Sequence, residues 1–505
     1  MRWLVLVYGG LFALLSVVLL PKEATFLRTT LAVAPTSIAI IVYLRLKYAN
    51  EFRISADMLS SIGCLVQFLL PLVYLTGVEL EGYYSIVLSG LLEHMPEAAL
   101  LSYLGQCFFF IGYEMRAYHK KVDDGVQNGR RLEGMRPYEY LIIMSPIIIS
   151  AWVSRFVLLR TGSYYHLIYS DFREQTPLYS LLAQLSSHEL VVLAGLWICV
   201  LLVERKESKK AWRITALAFT IAELAWCIPS GSREPLLAVG LAIFMAYMYV
   251  MRRIRYRYVL IGTFALLLLL PFMDVFRYAI ADIVEPSNIR TEVVGEAFET
   301  SRFRFYDEGY VTGNWLTSAM GRLADVRSVA VIMEGVPSRV PYLMGETYLR
   351  ILWILVPRMV YPDKPELILP LGYGLETSRA GTSSPTTVYG EAYLNFGWIG
   401  VMLVLPILGF LSRLYDEAFV LRKRSLIWTA VYVGTGVMVF RLPVQPVATW
   451  LVTFVKAFVM GSVLTGWGKV LNAFGRREGE RVREGDSVLS RHEIPRRRSG
   501  MQKYL

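Results

Sequence analysis

A short polar turn between two apolar blocks carries the first residues whose types and spacing could do chemistry. It reads Ser230-Gly-Ser-Arg-Glu-Pro235. Pro235 suits the first position of a helix, so the next helix should begin here, with the positive end of its dipole at the turn. The amides of Gly231 and Ser232, beside the guanidinium of Arg233, would then form a compact anion site. The alternative is an arginine that only extends to lipid headgroups.

Two helices are expected in a long segment later in the chain, and the second supplies further cations. Residues 314–334 show helical spacing of apolar residues. Residues 348–361 are apolar but too short to cross a bilayer, and Pro357 interrupts them, so an interfacial or re-entrant helix is expected. Arg358 and Lys364 would lie at its end, where they could bind a phosphate at headgroup depth. The alternative for both is anchoring of an amphipathic helix.

A carboxylate, Glu391, lies in the segment that leads into the next apolar block. Residues 383–397 read Ser-Ser-Pro-Thr-Thr-Val-Tyr-Gly-Glu-Ala-Tyr-Leu-Asn-Phe-Gly. Glu391 should lie at the membrane boundary, where its surroundings could tune it as a general base. The alternative is a carboxylate that is favoured by the dipole of its own helix.

A fourth group contains one arginine, two histidines and two glutamates: Arg160, His166, His188, Glu189 and Glu223. Glu223 falls inside an apolar block, where a charge costs about 3 kcal/mol, so it should face the interior of the helix bundle. It lies about two helical turns from the Arg233 turn, and an ion pair that positions Arg233 is one expectation. His188 is interpreted as a hydrogen-bonded interface residue rather than a catalyst.

Common catalytic signatures and metal-binding spacings do not occur in the sequence. There is no G-x-x-x-x-G-K-[ST] loop, no H-E-x-x-H motif and no Asp-x-Asp pair of the kind that holds a metal–nucleotide-sugar. The four cysteines lie in apolar blocks and are interpreted as unpaired core residues. An enzyme of this composition would need no metal or cofactor if its substrate brought an activated leaving group.

Apolar blocks of membrane-spanning length must position these groups. Hydrophobic residues make up 55% of the 505-residue chain, more than an ordinary globular domain needs. The blocks are about 17 to 22 residues long, the length that crosses roughly 30 Å of hydrocarbon. The first is interpreted as a retained helix, because no small-residue cleavage site follows it. About twelve spans are expected: 2–20, 28–46, 57–77, 98–115, 138–160, 181–203, 211–229, 235–251, 256–276, 394–412, 425–441 and 446–468.

The charges between these blocks predict the orientation of the chain. Lys and Arg cluster in every second connection, at 116–136, 204–213, 252–257 and 413–424. Positive clusters stay in the cytoplasm, so both termini are expected there. Residues 1–276 would hold nine spans, 277–393 one large extracytoplasmic loop, and 394–468 three further spans. The basic segment 469–505 is predicted to be a disordered cytoplasmic tail.

The order of several short motifs resembles the Wzy-type oligosaccharide repeat-unit polymerases of bacteria, which make O-antigens and exopolysaccharides. The resemblance covers about residues 215–412 and depends on six motifs. They are Gly-Ser-Arg (231–233), Gly-Glu-Thr-Tyr (345–348), Ile-Leu-Val-Pro-Arg (354–358), Pro-Asp-Lys-Pro (362–365), Ser-Ser-Pro (383–385) and Gly-Glu-Ala-Tyr-x-Asn-Phe-Gly (390–397).

The resemblance implies an all-α polytopic enzyme similar to the integral-membrane, GT-C-like glycosyltransferases, located in the bacterial cytoplasmic (inner) membrane. It would transfer a growing chain from undecaprenyl pyrophosphate to a new lipid-linked repeat unit on the outer leaflet. Arg233 and Arg358 would stabilise the departing pyrophosphate, with Lys364 in support. Glu391 would orient or deprotonate the acceptor hydroxyl. Further candidates for contacts with sugar or phosphate are Arg277, Arg379, Glu223 and Tyr393.

Two other classes of protein remain open. An O-antigen ligase would use the same donor but deliver the glycan to lipid A core or protein. A flippase or other transporter would place its charges along a central cavity, with short loops throughout. The partners implied are the lipid-linked oligosaccharide, membrane lipids, a flippase and a chain-length regulator. Nucleic acid is not expected, because the net charge of +11 lies in short clusters between apolar blocks.

Overall fold

A computed structural model describes residues 2–21, 24–49, 54–66, 83–116, 136–160, 182, 185–186, 188–203, 206–227, 233–252, 299, 326–353, 361, 386–422 and 425–490. For residues 25–26, 83–92, 233–234, 420–422, 472 and 474–490 it describes the backbone alone. Within these ranges every regular element is a helix, and no strand occurs.

The helices follow the apolar blocks of the sequence. The first eight are α1 (Arg2–Leu19), α2 (Thr25–Tyr48), α3 (Ala56–Cys64), α4 (Tyr83–Glu114), α5 (Pro137–Arg160), α6 (Glu189–Leu202), α7 (Lys206–Cys227) and α8 (Arg233–Met251). The later ones are α9 (Val326–Gly335), α10 (Glu346–Leu349), α11 (Val388–Arg422), α12 (Leu426–Phe440) and α13 (Val447–Ser490). Short 3₁₀ turns follow α10 at Arg350–Trp353 and α12 at Leu442–Val444.

Several helices have the length and composition of membrane spans. In the described part of the chain five qualify: Arg2–Leu19, Leu27–Tyr48, Pro137–Arg160, Val388–Phe419 and Val447–Leu471. The apolar helices Glu189–Leu202, Pro235–Met251 and Leu426–Phe440 are shorter. The coarse prediction of a multi-pass, all-helical membrane protein is therefore confirmed. Each expected span overlaps a described helix except 256–276, which lies outside the described residues.

Close contact between α4 and α11 fixes the centre of the bundle. A Cβ atom added at Gly112 would lie 1.8 Å from the carbonyl oxygen of Pro406. One added at Gly409 would lie 2.0 Å from the carbonyl oxygen of Phe109. Each helix thus places a glycine against the backbone of the other, the close approach that small residues allow between membrane helices. This contact sets the position of α11, which carries Glu391.

A buried polar network joins the helix ends that the charge pattern assigns to the cytoplasm. Lys47 Nζ lies 2.6 Å from Asp57 Oδ2 and 3.0 Å from Glu114 Oε1. Asp416, 3% exposed, accepts hydrogen bonds from the hydroxyls of Tyr113 at 2.6 Å and Tyr432 at 2.8 Å. Buried charges in a membrane bundle need such partners. The network connects α2, α3, α4, α11 and α12.

Of two expectations outside the spans, one agrees with the structure as far as the residues are described, and one differs from it. The helix expected over 314–334 is described from Val326 to Gly335, and 314–325 lies outside the described residues. The segment 469–505 was expected to be disordered, but α13 continues to Ser490. No proline interrupts the sequence from 447 to 490, so the helix that starts in the apolar block meets no forced end there.

Candidate active site

A break in α11 separates a short N-terminal piece, 388–395, which we call the half-helix. The break lies at Gly397, where φ is +62° and ψ is −146°. Just before it, the carbonyls of Leu394 and Asn395 accept hydrogen bonds from the amides of Leu343 and Met344, both at 3.1 Å. Broken helices persist at membrane depth where protein satisfies the freed backbone groups. The half-helix is therefore held by the loop that precedes α10.

The side chain of Asn395 extends the contact between this loop and the half-helix. Its Oδ1 accepts a hydrogen bond from the amide of Gly345 at 3.0 Å. Its Nδ2 donates to Thr347 Oγ1 and to the carbonyl of Glu391, both at 2.8 Å. Asn395 is fully buried. The motifs Gly-Glu-Thr-Tyr and Gly-Glu-Ala-Tyr-x-Asn therefore contact each other directly.

The carboxylate of Glu391 binds the start of another helix. It is 2% exposed, and its Oε2 accepts a hydrogen bond from the amide of Val447 at 2.7 Å. Val447 is the first residue of α13, so the carboxylate caps the positive end of that helix dipole. The expected alternative placed Glu391 at the dipole of its own helix, whereas the structure places it at α13. Its burial favours a positioning role, and its role as a general base stays a prediction.

A cavity of about 240 Å³ lies between the N-terminus of α6, the C-terminal part of α12 and the first turns of α13. This volume is close to the lower end of small-molecule sites, which run from about 300 to 1,000 Å³. Its polar lining consists of His188, Thr435, Arg441, Gln445, Thr449, Thr453 and Lys456. Its apolar lining includes Leu190, Val191, Met438, Leu442, Val452 and Met460. Among the described residues, the lining holds two cations and no carboxylate.

The charge of the cavity comes from both sides of the connection between α12 and α13. Arg441 is the C-cap residue of α12. Lys456 lies on α13 and lines the cavity, whose described lining residues include no carboxylate. Gln445 and Thr449 flank the N-terminus of α13, the positive end of its dipole. The arrangement favours an anionic group in the cavity.

His188 directly precedes α6 and is one of the residues that line this cavity. Its Nε2 is buried and forms no hydrogen bond within the described part of the protein. A buried polar atom without a partner is uncommon and needs an explanation. The interpretation of His188 as a hydrogen-bonded interface residue therefore does not hold for Nε2.

Behind the N-terminus of α6, a buried arginine joins two carboxylates. Arg155, 2% exposed, donates from Nη1 and Nη2 to the two oxygens of Glu223 at 2.9 and 2.8 Å. Its Nη2 also forms an ion pair with Glu189. The rings of Trp152 and Trp226 lie 5.1 and 4.9 Å from the guanidinium carbon. We call Arg155, Glu189 and Glu223 the buried triad, and it ties α5, α6 and α7 together.

The buried triad shows which residue Glu223 contacts. This residue does face the bundle interior, but its observed partner is Arg155, on a helix 68 residues earlier in the chain. The expected pair with Arg233 is not tested, because only the backbone of Arg233 is described, as the first residue of α8. Arg155 was missed because it stands alone in an apolar block. That position was itself a signal, since a charge in a span needs a partner.

The remaining predicted site residues fall into two groups. Tyr393 lies on the half-helix with Glu391, and its ring packs against Tyr342 and Trp398, with centroids 6.3 Å apart in both cases. The others lie outside the described residues: Arg277, Arg358, Lys364 and Arg379. The structure thus brings Glu391 and Tyr393 together on one element and places Glu223 in a separate cluster. Sequence reasoning missed Arg155, Arg441 and Lys456.

Comparisons with known proteins give a family without an assigned activity. Residues 148–418 match a family model whose description is a domain of unknown function (DUF8712). No curated protein and no solved structure matches the chain. The matched residues include the buried triad and the half-helix, whereas Arg441 and Lys456 lie beyond them. Because the match covers more than half of the 505 residues, the chain belongs to the DUF8712 family.

Proposed function

We propose that this protein is an integral-membrane glycosyltransferase that joins undecaprenyl-pyrophosphate-linked oligosaccharide units into a surface polysaccharide. The observation that carries the proposal is the cavity with Arg441 and Lys456 in its lining and no described carboxylate. The order of the Wzy-like motifs supplies the reaction class. The reaction would take place at the outer face of the bacterial cytoplasmic membrane.

The cavity suits the charge that develops in this reaction. As the bond between the anomeric carbon and the pyrophosphate oxygen breaks, negative charge grows on the pyrophosphate. Fixed cations in an enclosed site stabilise that charge more strongly than water does. Arg441 and Lys456 would bind the pyrophosphate, and the N-terminus of α13 would add its dipole. Arg233 would add a further contact from the turn 230–235, and Arg358 and Lys364 from the loop 277–393, which we call the late loop.

Glu391 connects the late loop to this cavity. Its carboxylate holds the amide of Val447, which lies two residues from Gln445 and two from Thr449, both in the cavity lining. The loop before α10 holds the half-helix through Asn395. In the proposed enzyme, the late loop thus sets the position of the α13 N-terminus that faces the pyrophosphate.

We further propose the finer architecture that the charge pattern predicts. It has twelve spans, a GT-C-like arrangement, both termini in the cytoplasm and the loop 277–393 on the outer side. With this orientation the cavity opens at the extracytoplasmic end of the bundle, because the connections before α6 and after α12 are outer ones. The lipid-linked unit would arrive from a flippase, and a chain-length regulator would act on the product.

A cationic cavity between helices also favours a second candidate, a transporter of anionic lipid-linked oligosaccharide. Such a protein needs cations inside the bundle to neutralise the pyrophosphate during passage. An O-antigen ligase shares the donor and differs in its acceptor. The three activities leave different products in a strain that lacks the gene.

The test is a gene deletion complemented with cavity variants. A polymerase deletion leaves single repeat units, and restoring the wild-type gene returns long chains. Arg441→Ala combined with Lys456→Ala should lower long-chain yield about 100-fold at equal protein level, the scale of losing transition-state charge stabilisation. The matched control is Arg136→Ala, which removes an exposed cation directly before α5. This variant should give normal chains.

Other outcomes of the deletion assign the other classes. Long chains that accumulate on the lipid carrier identify a ligase. Single units trapped on the cytoplasmic leaflet identify a flippase. Unchanged long chains attached to their normal acceptor reject all three.

A further inference from the structure

We propose that residues 342–353 insert an apolar face into the adjacent leaflet of the bilayer and thereby anchor the half-helix at the membrane boundary. We call residues 342–353 the insertion segment. Its partner is the lipid of the surrounding membrane, at the depth where headgroups meet hydrocarbon. The inference depends on the chain being a multi-pass membrane protein and not on glycosyl transfer.

The insertion segment exposes its largest apolar side chains. Met344, Leu349 and Leu352 are between 65% and 75% exposed. Trp353 is also exposed, and its ring packs against the exposed ring of Tyr361 with centroids 5.3 Å apart. Exposed apolar side chains that cluster in this way mark an interaction surface. Tryptophan and tyrosine are the aromatic residues typical of the boundary between membrane and water.

Other side chains of the segment hold it against the half-helix and its break. Thr347 is buried, and its Oγ1 accepts a hydrogen bond from Asn395 Nδ2 at 2.8 Å. The ring of Tyr348 stacks on Phe396, with centroids 6.3 Å apart. The charges of Glu346 and Arg350 pair with each other at 2.6 Å. The segment therefore has protein contacts on one side and an apolar surface that the described residues leave exposed.

The position of the segment along α11 places it at a membrane boundary. The amides of Leu343 and Met344 donate to the carbonyls at 394–395. From Asn395 to Arg413, α11 is about 27 Å long at 1.5 Å per residue, close to the roughly 30 Å of the hydrocarbon core. The guanidinium carbon of Arg413 lies 5.1 Å from the ring centroid of Tyr113, in the polar network at the opposite end. The insertion segment thus lies where the hydrocarbon ends.

The lipid-facing surface of α11 continues to the insertion segment. After the break, Trp398 and Met402 lie one helical turn apart and are both exposed. The ring of Tyr393 packs against Trp398 and also against Tyr342, the first residue of the segment. One row of aromatic contacts therefore joins the exposed face of the span to the segment. Lipid covers that face in the membrane, so lipid is the occupant that this continuity favours.

Insertion would hold the half-helix in place. The half-helix is bonded to the segment through the backbone and through Asn395, and its Glu391 caps the N-terminus of α13. Apolar side chains that remain in lipid would therefore restrain the half-helix and the carboxylate that it carries. The bilayer would act as one wall of the support for the late loop.

The experiment places a spin label on single cysteines of the full-length protein, in nanodiscs that hold one copy each. Leu352→Cys tests the segment, Ser338→Cys is the matched exposed control in the same loop, and Ile399→Cys marks the lipid face of the span. The native cysteines are buried or half-buried, and the unchanged protein gives their labelling background.

The label at position 352 should collide preferentially with oxygen, as the label at position 399 does. The ratio of its collision rate with oxygen to that with a water-soluble nickel chelate should exceed the ratio at position 338 by at least about fivefold, because the hydrated chelate is excluded from hydrocarbon.

A second measurement tests the anchoring. Leu349→Ser combined with Leu352→Ser removes apolar surface from two exposed side chains. Amide hydrogen exchange in peptides that cover 386–397 should become at least about fivefold faster, because the half-helix opens more often without its anchor. Arg339→Ser, an exposed position of the same loop, is the control and should leave that exchange unchanged. If the double variant does not fold, Leu349→Ser alone replaces it.

The outcomes separate insertion, anchoring and the proposed function. If the nickel chelate reaches position 352 as readily as position 338, the segment lies in water and the proposal is overturned. If neither reagent reaches position 352, or if the chelate is excluded only in discs with two copies, protein covers the surface and insertion is again overturned. If the label lies in lipid but the serine variant exchanges like wild type, the anchoring is overturned. A protein that passes both tests but transfers no glycan rejects the proposed function alone.

Discussion

Replacing Arg155 with methionine should destabilise the folded protein more than breaking an exposed ion pair. Methionine keeps the length and apolar character of the side chain but removes the guanidinium. The variant loses both bonds to Glu223, the pair with Glu189 and the bonds to the carbonyl of Ser186. It leaves two carboxylates, 0% and 2% exposed, without their cation.

The structure sets the size of this effect. Breaking a buried ion pair by removing one partner costs about 3–5 kcal/mol, because the remaining charge stays buried. The matched control is the exposed pair of Arg339 and Glu334, whose side chains are 46% and 28% exposed. Arg339→Met should cost less than about 1 kcal/mol, since water screens that pair.

The assay is unfolding in mixed micelles, with the fraction of sodium dodecyl sulfate as the denaturant and circular dichroism as the signal. The triple variant with Arg155→Met, Glu189→Gln and Glu223→Gln provides the decisive comparison. It should recover at least half of the lost stability, because the uncompensated charges are gone. A loss below about 1 kcal/mol in Arg155→Met, or a triple variant no more stable than the single one, would refute the reasoning.

Three further predictions use the same unfolding assay. Glu391→Gln keeps a hydrogen-bond acceptor but removes the charge at the α13 dipole, and should cost about 1 kcal/mol; no change would contradict the capping role. Gly397→Ala introduces a side chain at φ +62° and ψ −146°, and should cost about 1–3 kcal/mol. Gly112→Leu should lower stability by at least about 1–3 kcal/mol, because its side chain meets the Pro406 carbonyl. Gly240→Ala, where a Cβ meets nothing within 4 Å, is the control for both glycines.

The sequence was sufficient where a feature depends on local composition. Long apolar blocks predicted the helices, because a chain in lipid must satisfy its backbone bonds within each segment. Glu223 was predicted to face the interior from the cost of its charge alone, and the structure places it there at 2% exposure. A helix start near Glu391 was implied only by the alternative that the dipole of its own helix favours this carboxylate, and the half-helix begins at Val388.

Features that combine distant segments could not be predicted in this way. The cavity is formed by residues near 188, 441 and 456, and no local pattern joins positions so far apart. The capping of α13 by Glu391 depends on where the half-helix at the start of α11 lies relative to α13. The break at Gly397 was missed because a glycine in an apolar block reads as a tolerated interruption. Charged residues inside or beside apolar blocks were the available signal for Arg155, Arg441 and Lys456.

The bond from Glu391 to the amide of Val447 has a consequence for biosynthesis. The ribosome completes α6 and the half-helix before α13 exists, so the cavity lacks a wall until the last long apolar helix has inserted. Until then the carboxylate of Glu391 has no amide from which to accept a hydrogen bond. The apolar faces that α13 later covers are meanwhile exposed to lipid or to chaperones. Insertion of α13 therefore completes the site, and a chain halted before residue 447 would keep the buried triad without acquiring the cavity.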